Sequence, residues 1–229
     1  MMFRRALIVG VGAGLSASLA RRFAREGIAV ALAARQTDKL AALCAETGAR
    51  AYQCDAADPA QVASLFAGLD ETGAPDLVVY NASGRARGPI ADLDPAEVER
   101  SLRLSAFGAF LVAQQAARRM LPQQRGAIAL TGATAGVKGF ALSAPFAMGK
   151  FALRGLAQSL ARELAPQGIH VAHFVIDGGI RAEHRPDPPG APDSMLDPDA
   201  IAETYWHVLT QHRSAWSWEI EVRPWVERF

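Results

Sequence analysis

A glycine-rich segment near the N-terminus has the composition of a phosphate-binding turn. Gly10, Gly12 and Gly14 follow the apolar run Ala-Leu-Ile-Val and precede a segment with helical periodicity that begins at Leu15. Glycines at a strand-to-helix turn let the backbone approach a pyrophosphate, and the free N–H groups at the start of the helix can bind it. The pattern therefore predicts dinucleotide binding at this turn. The alternative interpretation is a tight turn without a ligand.

The elements that position this turn are visible along the whole chain, because short apolar runs alternate with longer segments of helical periodicity. This alternation is typical of βαβ units on a parallel sheet. Helix starts are indicated by three Asp-Pro pairs, since Asp caps free N–H groups and Pro suits the first helical position. Long helices are predicted over residues 95–120 and 147–165. We predict seven strands, at residues 6–9, 28–33, 49–54, 76–80, 127–131, 170–176 and 218–222.

These elements predict a single α/β domain over residues 1–229. It would be a doubly wound domain of the Rossmann type, with helices on both faces of a parallel sheet of about seven strands. Half of the residues are apolar, which is enough for one core. Residues 181–198 are too rich in Pro and Asp for a regular element. We predict a lid-like loop there, because it follows a strand at the edge where open α/β sheets bind ligands.

Composition argues against several classes of function. The formal net charge of +1 gives no field that would attract nucleic acid or anionic lipid. No uninterrupted apolar stretch reaches the roughly 18 residues of a membrane span. Cys44 and Cys54 lack the spacing of metal ligands, which fits a reduced, cytoplasmic protein without a metal site. Arg4 and Arg5 with the apolar run after them imitate a secretory signal peptide, but glycines interrupt that run.

Further motifs complete a resemblance to the short-chain dehydrogenase/reductase family. The segment FAMGK at 146–150 resembles the family's Tyr-x-x-x-Lys pair, and VVYNASG at 78–84 resembles its Asn-Asn-Ala-Gly motif. CDAAD at 54–58 resembles the adenine-contacting Asp motif, and IDGGI at 176–180 stands in place of the Pro-Gly turn. The resemblance covers nearly the whole chain. It implies an NAD(P)-dependent oxidoreductase that forms a homodimer or homotetramer through its two long helices.

The resemblance also implies which residues bind the cofactor. The family's third glycine is replaced by Ser16, whereas Lys150 keeps its role at the nicotinamide ribose. NAD-dependent members have an acidic residue after the second strand, where this chain has Ala34 followed by Arg35. An arginine there pairs with a ribose 2′-phosphate, so NADP(H) is favoured over NAD(H), unless Arg35 is simply solvated. The predicted cofactor-binding residues are Gly10, Gly12, Gly14, Leu15, Arg35, Asp55, Asn81, Ala82, Ser83, Lys150, Gly178 and Ile180.

The same resemblance implies a degenerate catalytic tetrad. The family's Asn, Ser, Tyr and Lys correspond here to Ser105, Ala133, Phe146 and Lys150. In the family the Tyr exchanges a proton with the substrate oxygen while a hydride moves, and the Lys lowers the pKa of that Tyr. A phenyl ring cannot exchange a proton. A one-residue shift of the alignment would bring Thr134 into the position of the Ser.

Other groups are candidate proton donors or substrate contacts. Lys150 itself is one candidate donor, and Tyr205 and His184 are two more, although a core or surface role is favoured for both. His170 and His173 have the pattern of core or sheet-edge residues. Four arginines follow the fourth and sixth strands and would suit an anionic or acyl-type substrate, or else be solvated; they are Arg85, Arg87, Arg181 and Arg185.

Three functions remain open on the sequence. The first is an NADP(H)-binding oxidoreductase with an atypical active site, in which Lys150, a substrate group or water donates or accepts the proton. The second is a catalytically silent NADP(H)-binding regulatory or scaffold protein. The third, a non-redox lyase or isomerase, is disfavoured because no paired acid and base stands out. The small-molecule substrate itself is not indicated by any motif.

Overall fold

The computed structural model describes residues 3–227, and its strands form one seven-stranded sheet. Every pairing in the sheet is parallel, and the strand order is β3-β2-β1-β4-β5-β6-β7. The chain therefore builds the sheet outward from β1 in one direction and then returns to build the other half from β4. The strands are β1 (Arg5–Val9), β2 (Ala29–Ala34), β3 (Arg50–Gln53), β4 (Leu77–Tyr80), β5 (Gly126–Thr131), β6 (Ile169–Ile176) and β7 (Glu219–Val222).

Helices cover both faces of this sheet. They are α1 (Leu15–Arg25), α2 (Ala41–Thr47), α3 (Pro59–Asp70), α4 (Pro95–Leu102), α5 (Gly108–Met120), α6 (Ala144–Leu164) and α7 (Pro198–Leu209). One buried apolar cluster contains Phe23 of α1 and Tyr205 of α7. The other contains Phe66 of α3, Val112 of α5 and Leu153 of α6. None of the described helices is long and apolar enough to span a membrane.

The predicted strands are confirmed, since each observed strand begins and ends within one residue of its prediction. The three Asp-Pro helix starts are also confirmed, because Asp58, Asp94 and Asp197 each accept a hydrogen bond from a backbone N–H of their helix. The predicted helix over 95–120 is not uniform. A π-helical segment, Arg103–Phe107, separates α4 from α5.

The segment between β6 and α7 contains no helix or strand over residues 181–197. Two isolated bridges order it, one between Ile180 and Leu196 and one between Ala182 and Arg185. Arg181 forms ion pairs with two acidic residues of the same segment, Asp187 and Asp197. Its irregular backbone agrees with the predicted loop, whereas its role as a lid stays a prediction.

Candidate functional site

A cleft of about 1040 Å³ lies at the carboxyl ends of β1 to β4. It opens where the strand order reverses between β1 and β4, which is the place where doubly wound sheets bind ligands. The cleft brings together seven of the predicted cofactor-binding residues. They are Gly10, Gly12, Arg35, Asp55, Asn81, Ala82 and Ser83.

The turn after β1 is built from glycines for two different reasons. Gly10 has a φ of 86°, and a Cβ at this position would lie 2.3 Å from the backbone N of Ala82. Only glycine fits there. Gly12 and Gly14, in contrast, have open space on the side where a Cβ would be. That space lies in front of the N-terminus of α1, so the backbone is shaped to receive a ligand such as a pyrophosphate.

The first turn of α1 is tied to the loop that follows β4. The Ser16 hydroxyl donates to the Gly10 carbonyl oxygen at 3.0 Å and accepts from Asn81 Nδ2 at 2.6 Å. Sequence reasoning treated Ser16 as a substituted glycine and missed this contact. The side chain of Leu15 packs into the core. Gly14 and Leu15 do not line the large cleft but a neighbouring groove, which Gly12 also borders.

Two exposed cations border the far end of the cleft, beyond β2. Arg35 follows β2, and Lys39 lies in the short 3-10 helix Asp38–Leu40. Within residues 3–227 neither forms an ion pair, whereas Arg21 on the same wall is paired with Glu46. Lys39 was not predicted from the sequence, although its position four residues after Arg35 was the available signal.

The carboxylate of Asp55 is partly used within its own loop. Its Oδ1 accepts a hydrogen bond from the Ala57 backbone N at 3.0 Å, and the Asp55 N–H donates to the Gln61 side chain at 2.9 Å. These bonds hold Asp55 at the carboxyl end of β3, with its side chain on the wall of the cleft.

A smaller cavity of about 300 Å³ continues from the cleft at the carboxyl ends of β5 and β6. Asn81 and Ser83 line both spaces, so they form the junction between them. The small cavity brings together the predicted residues that follow β6, Gly178 and Ile180, with three of the four implied tetrad positions. It is lined by Ala133, Thr134, Phe140, Phe146, Lys150, Gly178, Ile180, Arg85 and Arg185, among others.

Lys150 is the buried charge of this cavity, with 3% of its surface exposed. Its ammonium donates to the Thr131 carbonyl oxygen at 2.7 Å, which is one of the three hydrogen bonds that an ammonium can donate. Burial, and to a lesser extent the positive charge of Arg85, lowers the pKa of Lys150 to about 8. The side chain therefore changes its charge closer to neutral pH than an ordinary lysine does.

The other implied tetrad positions contribute different surfaces. The Phe146 ring lies near two cations, with the Arg85 guanidinium carbon 4.5 Å and the Lys150 Nζ 5.9 Å from its centroid. Ala133 lines the cavity with a methyl group. Ser105 does not line it, because this residue lies fully buried in the π-helical segment and its hydroxyl accepts from the Gly84 N–H at 3.0 Å.

The alternative proton donors lie elsewhere. Tyr205 is fully buried, bonds Thr131 Oγ1 at 2.9 Å and stacks on Phe174, and burial raises its pKa. His184 is exposed and lines a groove beside the glycine-rich turn, outside the Lys150 cavity. Thr134 does line the cavity, with its hydroxyl 3.5 Å from the Ile176 carbonyl oxygen. Among residues 3–227, no three His, Cys, Asp or Glu side chains cluster as metal ligands.

Comparison with known proteins agrees with this architecture. Residues 4–186 match the short chain dehydrogenase family. An uncharacterized oxidoreductase of Staphylococcus aureus strain N315 is 28% identical over 226 residues, which is 96% of each chain. The crystal structure of a short-chain dehydrogenase from Rhodopseudomonas palustris has a TM-score of 0.83 and 33% identity, covering 97% of this chain and 99% of that one.

A metagenomic short-chain oxidoreductase, whose structure is a complex with NADP, has a TM-score of 0.84 and 27% identity. The match covers 96% of this chain and 97% of that one. With the family match spanning residues 4–186, the protein described here belongs to the short-chain dehydrogenase/reductase family.

Proposed function

We propose that this protein is an NADP(H)-dependent oxidoreductase whose active site has lost the family's tyrosine, with Phe146 in its place and Lys150 retained. The observation that carries the proposal is the junction between two spaces. Asn81 and Ser83 line both the large cleft and the small cavity that contains Lys150. A dinucleotide bound along the cleft would therefore end beside the Lys150 ammonium.

The chain fits this cofactor at each part of the cleft. The open space beside Gly12 and Gly14 suits the pyrophosphate. Arg35 and Lys39 would bind the ribose 2′-phosphate, and Asp55 the adenine end. Asn81 and Lys150 would hold the nicotinamide ribose, as the family resemblance implies. NADP(H) supplies or accepts the hydride when it is bound, and the NADP complex of the metagenomic relative supports this choice of cofactor.

Few of the groups that line this cavity can transfer a proton. The Lys150 ammonium can hold a proton at neutral pH and release it near its pKa of about 8. A substrate group or a water molecule is the other source. Because one positioned general acid contributes about 10²–10⁴-fold, we expect ketone reduction far slower than that of relatives with a tyrosine.

A second candidate is a catalytically silent NADP(H)-binding regulatory protein. One observation favours it: among the described residues that line the small cavity, there is no Tyr, His, Asp or Glu. The same absence weighs against a lyase or isomerase, which would need a paired acid and base there. The two leading candidates share the cofactor cleft and differ in whether turnover occurs.

Isothermal titration with NADPH and, separately, NADH tests the shared part. We expect NADPH to bind more tightly. Arg35→Ala should weaken NADPH binding by about tenfold, because one charge-assisted pair with the 2′-phosphate is lost. NADH lacks that phosphate, so its affinity serves as the matched control and should stay within about twofold. If neither nucleotide binds, the proposal is rejected; if Arg35→Ala weakens both equally, the preference for NADP(H) is rejected.

A further inference from the structure

Three cations converge on the small cavity, and no acidic side chain balances them there. Lys150 lies at its floor, and Arg85 and Arg185 border its mouth. Among the described residues that line the cavity, there is no Asp or Glu. Arg85 and Arg185 are exposed to solvent, which screens their charges, whereas Lys150 is buried. Like charges repel one another, whereas an anion bound between the three would be attracted by all of them.

Arg85 contacts an aromatic ring of the cavity and forms no ion pair among the described residues. Its guanidinium stacks on the Phe146 ring at 4.5 Å from the centroid, and within residues 3–227 it has no carboxylate partner. Burial, followed by the nearby charges of Arg185 and Arg87, lowers the pKa of Arg85. A stacked guanidinium keeps its edge N–H groups free for a bidentate contact with an anion.

Arg185 is oriented by its own backbone contact. Its Nε and Nη2 both donate to the Ile180 carbonyl oxygen, at 3.0 and 2.6 Å. The sequence indicated two further arginines as candidate contacts of an anionic substrate. Arg181 forms ion pairs with Asp187 and Asp197, and Arg87 does not line the cavity. The structure therefore separates two arginines that face the cavity from two that do not.

Arg85 lies away from the glycine-rich turn, although it also lines a neighbouring pocket with Arg35 and Asp55. The glycine-rich turn and the exposed cations Arg35 and Lys39 line the large cleft, and Arg85 does not line that cleft. Apolar side chains form one part of the small cavity's wall, including Phe140, Phe146 and Ile180, beside neutral polar residues such as Asn81 and Thr134. A ligand that is complementary to both the cationic and the apolar side chains of the wall has a charged head and an apolar body.

We infer that the small cavity takes a small organic anion, with a carboxylate or phosphate-type head bound by Arg85 and an apolar body against Phe140 and Phe146. This inference rests on the proposed function, because it names the substrate class of the same site. It also gives Phe146 a role of its own, since the ring supports the guanidinium of Arg85. Lys150 and Arg185 add positive charge around the bound head group.

The test uses three probes of similar shape: 3-phenylpropanoate, 2-phenylethylphosphonate and the neutral 3-phenylpropanamide. Each is titrated calorimetrically into the full-length protein, with and without saturating NADP⁺. None of the probes can be reduced as a ketone, so the readout is binding and not turnover. The difference between the two acids distinguishes a carboxylate site from a phosphate-type site.

We expect at least one acid to bind about tenfold more tightly than the amide. Arg85→Ala should remove that difference, and Arg85→Lys should restore part of it, because lysine keeps the charge but loses the stacked fork. The matched control is Arg87→Ala, which removes the same charge from the same loop outside the cavity, and it should change the affinity by no more than about twofold. Thermal unfolding of each variant confirms that it is folded.

Equal binding of acids and amide, no binding of either acid, or equal losses in Arg85→Ala and Arg87→Ala would each overturn the inference. Titration of the same samples with NADP⁺ separates the two proposals. If NADP⁺ fails to bind while an acid binds in an Arg85-dependent manner, the oxidoreductase proposal falls and the anion site stands. If NADP⁺ binds and the acids do not, the reverse conclusion holds.

Discussion

Phe146 and Lys150 together determine how the small cavity can handle a proton. The ring offers no exchangeable hydrogen, and Lys150 lies with its Nζ 5.9 Å from the ring centroid. A buried ammonium with a pKa of about 8 is mostly charged at neutral pH. It would lower the pKa of a phenol placed beside it, as the family resemblance implies for the missing tyrosine.

Restoring that phenol is the first prediction at this scale. The double variant Phe146→Tyr, Ala133→Ser should reduce simple ketones with NADPH about 10²–10⁴-fold faster than the wild type, because it regains a positioned general acid. Loss of NADPH absorbance measures the rate. Phe146→Leu with Ala133→Ser is the control that changes the ring without adding the phenol. If the phenol variant binds NADPH and shows no gain, the cavity is not a competent substrate site.

Contacts between elements fix the position of α6, the helix that carries Lys150. One turn after Lys150, Arg154 donates two hydrogen bonds of 2.7 Å to Glu219 of β7. The other partner of Glu219 is His173 of β6, whose Nδ1 lies 3.0 Å from the carboxylate. The pKa of Glu219 is lowered mainly by the hydrogen bond from Arg154 and, to a lesser extent, by the hydrogen bond with His173.

Glu219→Gln should therefore destabilise the protein in a pH-dependent way. A carboxyl whose pKa is lower in the folded state contributes stability above its unfolded pKa of about 4.3, and that stability is lost as the pH falls through the folded pKa. We expect a loss of about 1–2 kcal/mol near neutral pH, since the pair is partly exposed. The loss should shrink below about pH 4. Urea unfolding near neutral pH and below about pH 4 measures the loss of stability at each pH.

Glu221→Gln is the matched control for this experiment. Glu221 lies on the same strand, its side chain is more exposed, and it pairs with Arg223 two residues away. We expect its loss of stability to be smaller at neutral pH. Equal losses of stability in the two variants would show that the contact between α6 and β7 stabilises the fold no more than the exposed pair of Glu221 does.

Elements were more predictable than the contacts between them. The seven strands and three capped helices follow from local signals, namely apolar runs and Asp-Pro pairs, that a single sequence displays. The π-helical turn at 103–107 has no such signal. Arg85 and Phe146 are 61 positions apart, and Ser16 and Asn81 are 65 apart, so their contacts depend on how distant segments pack. Lys39 was missed for the simpler reason that only the two positions directly after the predicted strand, Ala34 and Arg35, were considered.

At the scale of the whole molecule, α5 and α6 expose large apolar side chains to solvent. Four large side chains are exposed on α5, α6 and the turn before α5: Phe107, Phe110, Met148 and Phe151. The first two rings stack with centroids 6.2 Å apart. Large exposed apolar side chains that lie close together are typical of association surfaces. They support the proposal that these long helices pair between subunits in a homodimer or homotetramer.

The proposed pairing of subunits predicts a specific effect of one charge. Phe151→Glu should convert the protein to monomers in analytical ultracentrifugation, because association would bury a carboxylate without a partner. Ile90→Glu is the control, since Ile90 is 79% exposed and lies outside α5 and α6, in the 3-10 helix Ile90–Asp92. It should sediment like the wild type. A monomeric wild type would refute the pairing, and these side chains would then have to be explained by contact with a different molecule.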